Sequence, residues 1–230
     1  MVEELAIKGN EVYFQYNSNC DKALELEQNF GAIGIHVSLE QVFKENGLNR
    51  FPKECDILVN CIGKHIVVQE AEKVCVDDLD ELLRINVEIP FLFIQYLLPY
   101  MKRKANGCIV NLSSICGKCI GENNIPYILS KHALSALTKC IAKEYGKYGI
   151  RCNEVTPGAI YSKMNDTILS QEAILYGYDL YKYIQLEKKM NPSGDFLQPA
   201  DVVKAIKFLI SDDSRSINGL SLVIDNGQTI

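Results

Sequence analysis

Six short apolar runs, each closed by turn-forming residues, alternate along this chain with longer stretches in which apolar residues recur every three or four positions. The runs are "EVYFQY", "AIGIHV", "DILVNCIG", "GCIVNLSS", "IRCNEVTPG" and "LSLVID". Between them lie segments of helical periodicity, among them "DDLDELLRINVEIPFLFIQYLLPYMKRK" and "YILSKHALSALTKCIAKEYGKYG". Strands and helices in this alternation form βαβ units, with the helices crossing over a parallel sheet. The expected fold is α/β, a doubly wound and mostly parallel sheet in a single domain over residues 1–230.

With 230 residues, 47% of them apolar, the chain can bury one sizeable core. Its formal charge of -5 lacks the clustered cations that phosphate contacts require, so no nucleic-acid partner is expected. Nine cysteines, an odd count with no leader segment, fit a reducing cytoplasm better than a disulfide framework. Cys55, Cys61, Cys108 and Cys152 sit in or beside apolar runs and read as buried filler. Cys116 and Cys119, in "CGKC", have a spacing that can serve redox exchange or a metal. No second Cys or His pair matches it, so no metal site is expected. No apolar run approaches the roughly 18 residues of a membrane span, and no membrane partner is expected.

Doubly wound sheets hold ligands outside the carboxyl ends of their strands. Unusual residues gather there: Asn60 to Gly63 after one strand, Ser113 and Ser114 after another, Pro157 and Gly158 after a third. The polar, aromatic segment 165–195 interrupts the alternation, either as a lid over a substrate or as a packed helical excursion.

A Tyr followed four residues later by a Lys occurs three times: Tyr100 with Lys104, Tyr127 with Lys131, and Tyr178 with Lys182. Any surface helix can generate this spacing. It acquires chemical meaning when a further hydroxyl is nearby, because an ammonium can stabilise a phenolate while the hydroxyl holds a substrate oxygen. Tyr127 alone meets this condition, with Ser114 closing a strand 13 residues earlier at the ligand edge. Tyr100 falls at the opposite end of its helix and Tyr178 in the interrupting segment, so both read as structural.

These residues resemble the short-chain dehydrogenase/reductase family over nearly the whole chain. "DILVNCIG" resembles the family's Asn-Asn-Ala-Gly motif, keeping Asn60 and Gly63. "RINVEIPF" resembles the segment of the catalytic Asn, which falls on Asn86. "IVNLSSICG" puts the catalytic Ser on Ser114, and "YILSK" supplies Tyr127 and Lys131. "IRCNEVTPGAIYSKM" resembles the stretch where Pro157, Gly158, Ile160 and Ser162 would line the nicotinamide. The resemblance implies a Rossmann-like fold and an oxidoreductase similar to 3-oxoacyl-[acyl-carrier-protein] reductases. Such an enzyme interconverts a ketone and a secondary alcohol on a small-molecule or carrier-bound carbonyl substrate. Tyr127 would donate the proton, and Lys131 would lower the pKa of Tyr127 and bind the nicotinamide ribose. Ser114 would orient the carbonyl, and Asn86 would hold a relay water. The chain's last helix and strand are those that make dimers or tetramers in the family, so a homo-oligomer is implied.

The family's opening strand and its turn Thr-Gly-x-x-x-Gly-x-Gly have no counterpart in the sequence. "VEELAIKGNEVYFQY" resembles the second half of the first family helix running into the second strand, so the first strand is expected to be missing. Either the natural chain begins upstream, or this is a short form that is catalytically silent and acts through subunit association. The family's Asp near the adenine appears as His36. After "EVYFQY" comes "NSN", with no acid to bind a ribose 2'-hydroxyl, which favours NADP(H) over NAD(H).

Overall fold

All six expected strands form, each inside its apolar run, in a computed structural model that describes residues 1–44 and 47–230. They belong to two compact units, Met1–Cys55 and Asp56–Ile230, each with its own sheet among the described residues.

The first unit contains α1 (Val2–Ala6), β1 (Tyr13–Tyr16), α2 (Cys20–Phe30), β2 (Ile33–His36) and α3 (Leu39–Val42). β1 and β2 pair in parallel, Tyr13 opposite Ile33 and Tyr16 opposite His36. The Asn19 side chain caps the start of α2 by accepting from the Lys22 N–H, and Gly31 ends the helix in the left-handed conformation at φ 65°. At the carboxyl end of β2, the His36 ring stacks on Tyr16 at 5.1 Å between centroids. The His36 carbonyl accepts from Arg50 Nη1 at 2.7 Å.

The second unit is built on β3 (Ile57–Asn60), β4 (Gly107–Leu112), β5 (Ile150–Pro157) and β6 (Ser221–Ile224), parallel and in that spatial order. Its helices are α4 (Val76–Leu83), α5 (Ile89–Lys104), α6 (Ile125–Tyr145), α7 (Lys163–Leu175), α8 (Leu180–Met190) and α9 (Pro199–Ile210). Both faces of the sheet are covered: Cys108 Sγ meets the Leu209 carbonyl of α9, while Asn111, of opposite parity on β4, meets Thr138 of α6. This double covering is why β4 and β5 read as near-continuous apolar runs. Of the four cysteines taken as filler, Cys108 and Cys152 are buried, Cys55 is half-buried and Cys61 is exposed, because Cys61 lies just past the end of β3.

The helical stretch Val76–Lys104 is long and apolar enough to cross a membrane, contrary to the expectation that no segment approaches that length. Here one face of it is core, while Val76 and Phe91 are exposed. Ile89, Phe93, Ile94, Leu97, Leu98 and Met101 form an inward stripe at helical spacing. Each such burial contributes about 1.5–3 kcal/mol. Between α4 and α5 the helix widens to a π turn at Arg84–Glu88, with the Ile89 N–H bonding Arg84 O five residues back. Pro90 lies four residues after Asn86 and has no N–H to return to its carbonyl in α register, which accounts for the widening at that point.

A polar row crosses the sheet beneath the carboxyl edge. Asn60, Asn111, Glu154 and Ser221 stand opposite one another in consecutive registers. Asn60 Nδ2 donates to Asn111 Oδ1 at 2.8 Å, Asn111 Nδ2 donates to Thr138 Oγ1 at 2.9 Å, and the Ser221 hydroxyl donates to Glu154. Truncating the centre of this row leaves Asn60 without its acceptor. Asn111→Ala is therefore expected to lower unfolding free energy by about 2–3 kcal/mol in urea titrations. A loss below about 0.5 kcal/mol would mean that the row adds nothing to stability.

Candidate active site

Because β3, β4 and β5 run parallel, the residues that follow them share one edge. After β3, the loop reaches Gly63 and Lys64, and the side chain of Asn86 grips it from the π turn. Asn86 Oδ1 accepts from the Lys64 N–H at 2.8 Å, and Nδ2 donates to the Lys64 carbonyl at 3.0 Å and to Ser130 Oγ at 2.9 Å. Ser130 in turn donates to the Tyr127 carbonyl at 2.8 Å. Asn86 is fully buried, and both of its amide hydrogens are committed. Its side chain is thus a structural hub, whereas the resemblance implied a water ligand.

After β4, Ser114 caps a short 3-10 turn, Ile115–Gly117, its Oγ accepting from the Cys116 N–H at 3.2 Å. Tyr127 lies in the first turn of α6, half-buried. Burial pushes its phenol above the ordinary value, the neighbouring Cys116 adds to this, and a hydrogen bond with Ser114 partly offsets it. Lys131, one helical turn on, is only 3% exposed. Its Nζ donates to the Leu112 carbonyl at 3.2 Å and lies 5.5 Å from the Tyr127 ring centroid. Burial pushes the Lys131 ammonium down to about 8. Tyr127 is thus held above its ordinary value by burial, where a lowering by Lys131 was expected.

Gly63 lies against this pair: a Cβ there would stand 3.5 Å from Lys131 Nζ and 3.8 Å from Asn86 Oδ1. Of the other residues expected at a cofactor, Asn60 is buried in the polar row. Pro157 ends β5 opposite Ile224, and Gly158 allows close approach, since a Cβ would come 2.8 Å from Gln228 Oε1. Ile160 bridges Leu197, and Ser162 caps α7 by accepting from the Asn165 N–H at 3.2 Å.

A groove of about 740 Å3 opens beside these residues, between the loop 63–69, α4 and α7. α7 contributes Met164, Thr167, Ile168 and Gln171 to it. The opposite side of α7 packs on α8 through Leu169, Ala173 and Tyr183. Segment 165–195 is thus helical, begins its first helix two residues early at Lys163, and both lines the groove and packs.

The family model described as "Enoyl-(Acyl carrier protein) reductase" matches residues 2–229. A dehydrogenase/reductase SDR family member 6 of Rattus norvegicus is 30% identical over 203 residues, 86% of this chain and 80% of that protein. The chain belongs to the short-chain dehydrogenase/reductase family. The 7alpha-hydroxysteroid dehydrogenase of Bacteroides fragilis is 33% identical over 181 residues, 77% of this chain but 65% of its own length. A solved actinorhodin polyketide ketoreductase with NADPH shares the fold at a TM-score of 0.89 and 20% identity, covering 99% of this chain and 90% of that one.

In this family member the three Tyr-Lys pairs are nearly alike in reach, with Nζ 5.8, 5.5 and 5.5 Å from the ring centroid for Lys104, Lys131 and Lys182. What separates them is burial, since Lys104 and Lys182 are exposed. Two residues that sequence reading passed over also lie at functional edges. The His65 ring lies tilted against Tyr127 at 4.7 Å between centroids, and Arg50 reaches the end of β2. Neither has a local signal, because each meets partners far away in sequence.

Burial of Lys131 has a pH signature. The unfolded chain holds that proton more tightly than the folded one between about 8 and the ordinary 10.5, so stability from this group rises with pH across that window. Subtracting the pH–stability curve of Lys131→Met is expected to isolate a rise of up to about 3 kcal/mol. A flat difference curve would place an unperturbed ammonium at this position.

Proposed function

We propose that the chain is an NAD(P)(H)-dependent oxidoreductase that interconverts a ketone and a secondary alcohol, with NADP(H) favoured over NAD(H). The observation that carries this reading is the meeting of Ser114, Tyr127 and Lys131 at the carboxyl edge, beside a groove open to a substrate. The residues present suit the nicotinamide-ribose half of such a cofactor. Among the described residues, Lys131 Nζ hydrogen-bonds only the Leu112 carbonyl, leaving donors for ribose hydroxyls. Gly63 keeps the space beside that ammonium clear of a side chain. The preference for NADP(H) is supported by Arg50, whose guanidinium stands at the end of β2 with no acidic side chain in the "NSN" stretch to oppose a phosphate.

When bound, the nicotinamide supplies a hydride to the carbonyl carbon. Tyr127, kept protonated by burial, donates its phenolic proton to the carbonyl oxygen. Ser114 hydrogen-bonds that same oxygen and fixes its position against the phenol. The positive charge of Lys131 stabilises the phenolate left behind. Asn86 positions the reaction indirectly, tying the Lys64 loop to the main chain of Tyr127 through Ser130. A small-molecule or carrier-bound carbonyl, as in 3-oxoacyl-[acyl-carrier-protein] reductases, suits the open groove. Association into a homo-oligomer through α9 and β6 is supported by the exposed Phe208 of α9 and Leu220 just before β6.

Replacing Tyr127 by Phe removes one hydroxyl from a site that otherwise stays packed. NADPH-dependent ketone reduction by the 230-residue chain is expected to fall by about 100-fold or more, with circular dichroism and melting temperature nearly unchanged. Near-normal turnover would exclude Tyr127 as the proton donor.

A further inference from the structure

Cys116 and Cys119 stand at the edge of the site and take no part in the proton transfer. They are the only two cysteines of the sequence separated by two residues. The backbone around them is a helical turn: the Gly117 N–H donates to the Ser114 carbonyl, and the N–H groups of Lys118 and Cys119 both donate to the Ile115 carbonyl, all at 2.8 Å. Positions three apart on such a turn share one face, with Cβ atoms about 5–6 Å apart. Cys119 is exposed and Cys116 half-buried. Cys116 lies within electrostatic reach of Cys119, Tyr127 and Lys131. A metal would need further ligands, and among the described residues no group of three or more His, Cys, Asp or Glu side chains stands together. Two-electron thiol exchange needs the pair alone.

The turn has no slack on its inner side. A Cβ at Gly117 would stand 2.9 Å from the Lys131 carbonyl, from Ser113 Oγ and from Ser135 Oγ, so the main chain between the two cysteines is seated directly on α6 at its lysine. On the other side the Cys116 N–H donates to Ser114 Oγ at 3.2 Å. A disulfide requires Cβ atoms at about 3.5–4.5 Å, so closing one tightens the turn. Gly117 cannot move further into α6, and the displacement falls on Ser114. Misplacing a group that orients a reacting carbonyl is costly in rate.

We infer that Cys116 and Cys119 are a redox modification site, a dithiol that takes a low-molecular-weight disulfide as oxidant, closes to an intramolecular disulfide and thereby disables carbonyl reduction. Exposed Cys119 attacks one sulfur of the oxidant as thiolate and expels the first small thiol. Cys116 then attacks Cys119 Sγ in the mixed disulfide and expels the second. Two protein S–H bonds and one small-molecule S–S bond are lost; one protein S–S bond and two small-molecule S–H bonds form, and two electrons pass from the protein to the oxidant. Burial holds the Cys116 thiol up, offset in part by Ser114 and Lys131, which makes Cys116 the resolving thiol and Cys119 the point of entry. The loss of activity rests on the carbonyl-reduction reading; the disulfide itself does not.

The full chain is incubated with glutathione disulfide and afterwards with dithiothreitol. Trypsin cuts after Lys118, so the closed pair joins peptides 105–118 and 119–131, which separate on reduction. Fragment masses distinguish Cys116 from Cys108 of the same peptide. NADPH-dependent ketone reduction is expected to fall about tenfold or more as the linkage forms, and to recover when dithiothreitol reverses it. Cys119→Ser, at an exposed position, is expected to keep the rate of the reduced wild type and to lose the response to glutathione disulfide. Glutathione adducts alone, or a bridge from Cys116 to Cys61, which also lies near Lys131, overturn the inference, as does a Cys116–Cys119 bridge that leaves the rate unchanged. If the reduced chain turns over no ketone, the underlying reading fails, and the Tyr127 ring resonances, assigned by their loss in Tyr127→Phe, decide whether the bridge reaches the site. A shift on oxidation that Cys119→Ser abolishes sustains the inference; no shift overturns it.

Discussion

The candidate site depends on the side chain of Asn86. Three hydrogen bonds from one buried amide join the loop after β3, the π turn between α4 and α5, and Ser130 of α6, which in turn bonds the Tyr127 carbonyl. Each of those segments carries part of the proposed site: Gly63, Asn86 itself, and Tyr127 with Lys131. A site spread over separate elements needs such a brace, because small misplacements of reacting groups carry large rate penalties. Pro90 completes the device by withholding a backbone donor and so locating the π turn at Asn86.

Burial then gives the braced residues their chemistry. Spacing puts an ammonium over a phenol at each of the three Tyr-Lys pairs, and the distances differ by only 0.3 Å. Water screens the exposed pairs, whereas Lys131 is enclosed and its proton is held loosely enough to bring its pKa to about 8. Tyr127 is desolvated too and keeps its proton, which suits a donor in the reductive direction.

Much of this architecture was legible in the sequence. The six strands stood out as short apolar runs bounded by turn residues, and β4 and β5 are buried along nearly their whole length. That Ser114, Tyr127 and Lys131 would lie together was expected because residues that follow parallel strands share one edge, and the structure does bring them together. The π turn was not legible, since Pro90 is equally compatible with an ordinary first helical turn. Nor were the uses of Asn60 and Asn86, whose amides could have faced a ligand but are spent on Asn111, Lys64 and Ser130. His65 and Arg50 gain meaning only from neighbours that folding brings to them. The division into the units Met1–Cys55 and Asp56–Ile230 likewise has no linker, composition shift or charge run to announce it.

The central claim is that this edge passes a hydride to a carbonyl carbon while Tyr127 supplies the proton. Isotope tracing tests it most directly. The 230-residue chain is incubated with a ketone and NADPH carrying deuterium at both C4 positions of the dihydronicotinamide, and the alcohol is examined by NMR and mass spectrometry. The account requires one deuterium on the carbinol carbon for each NADPH oxidised, with the hydroxyl proton drawn from solvent. NADPH left unoxidised, or an alcohol whose carbinol hydrogen comes from water, would contradict it.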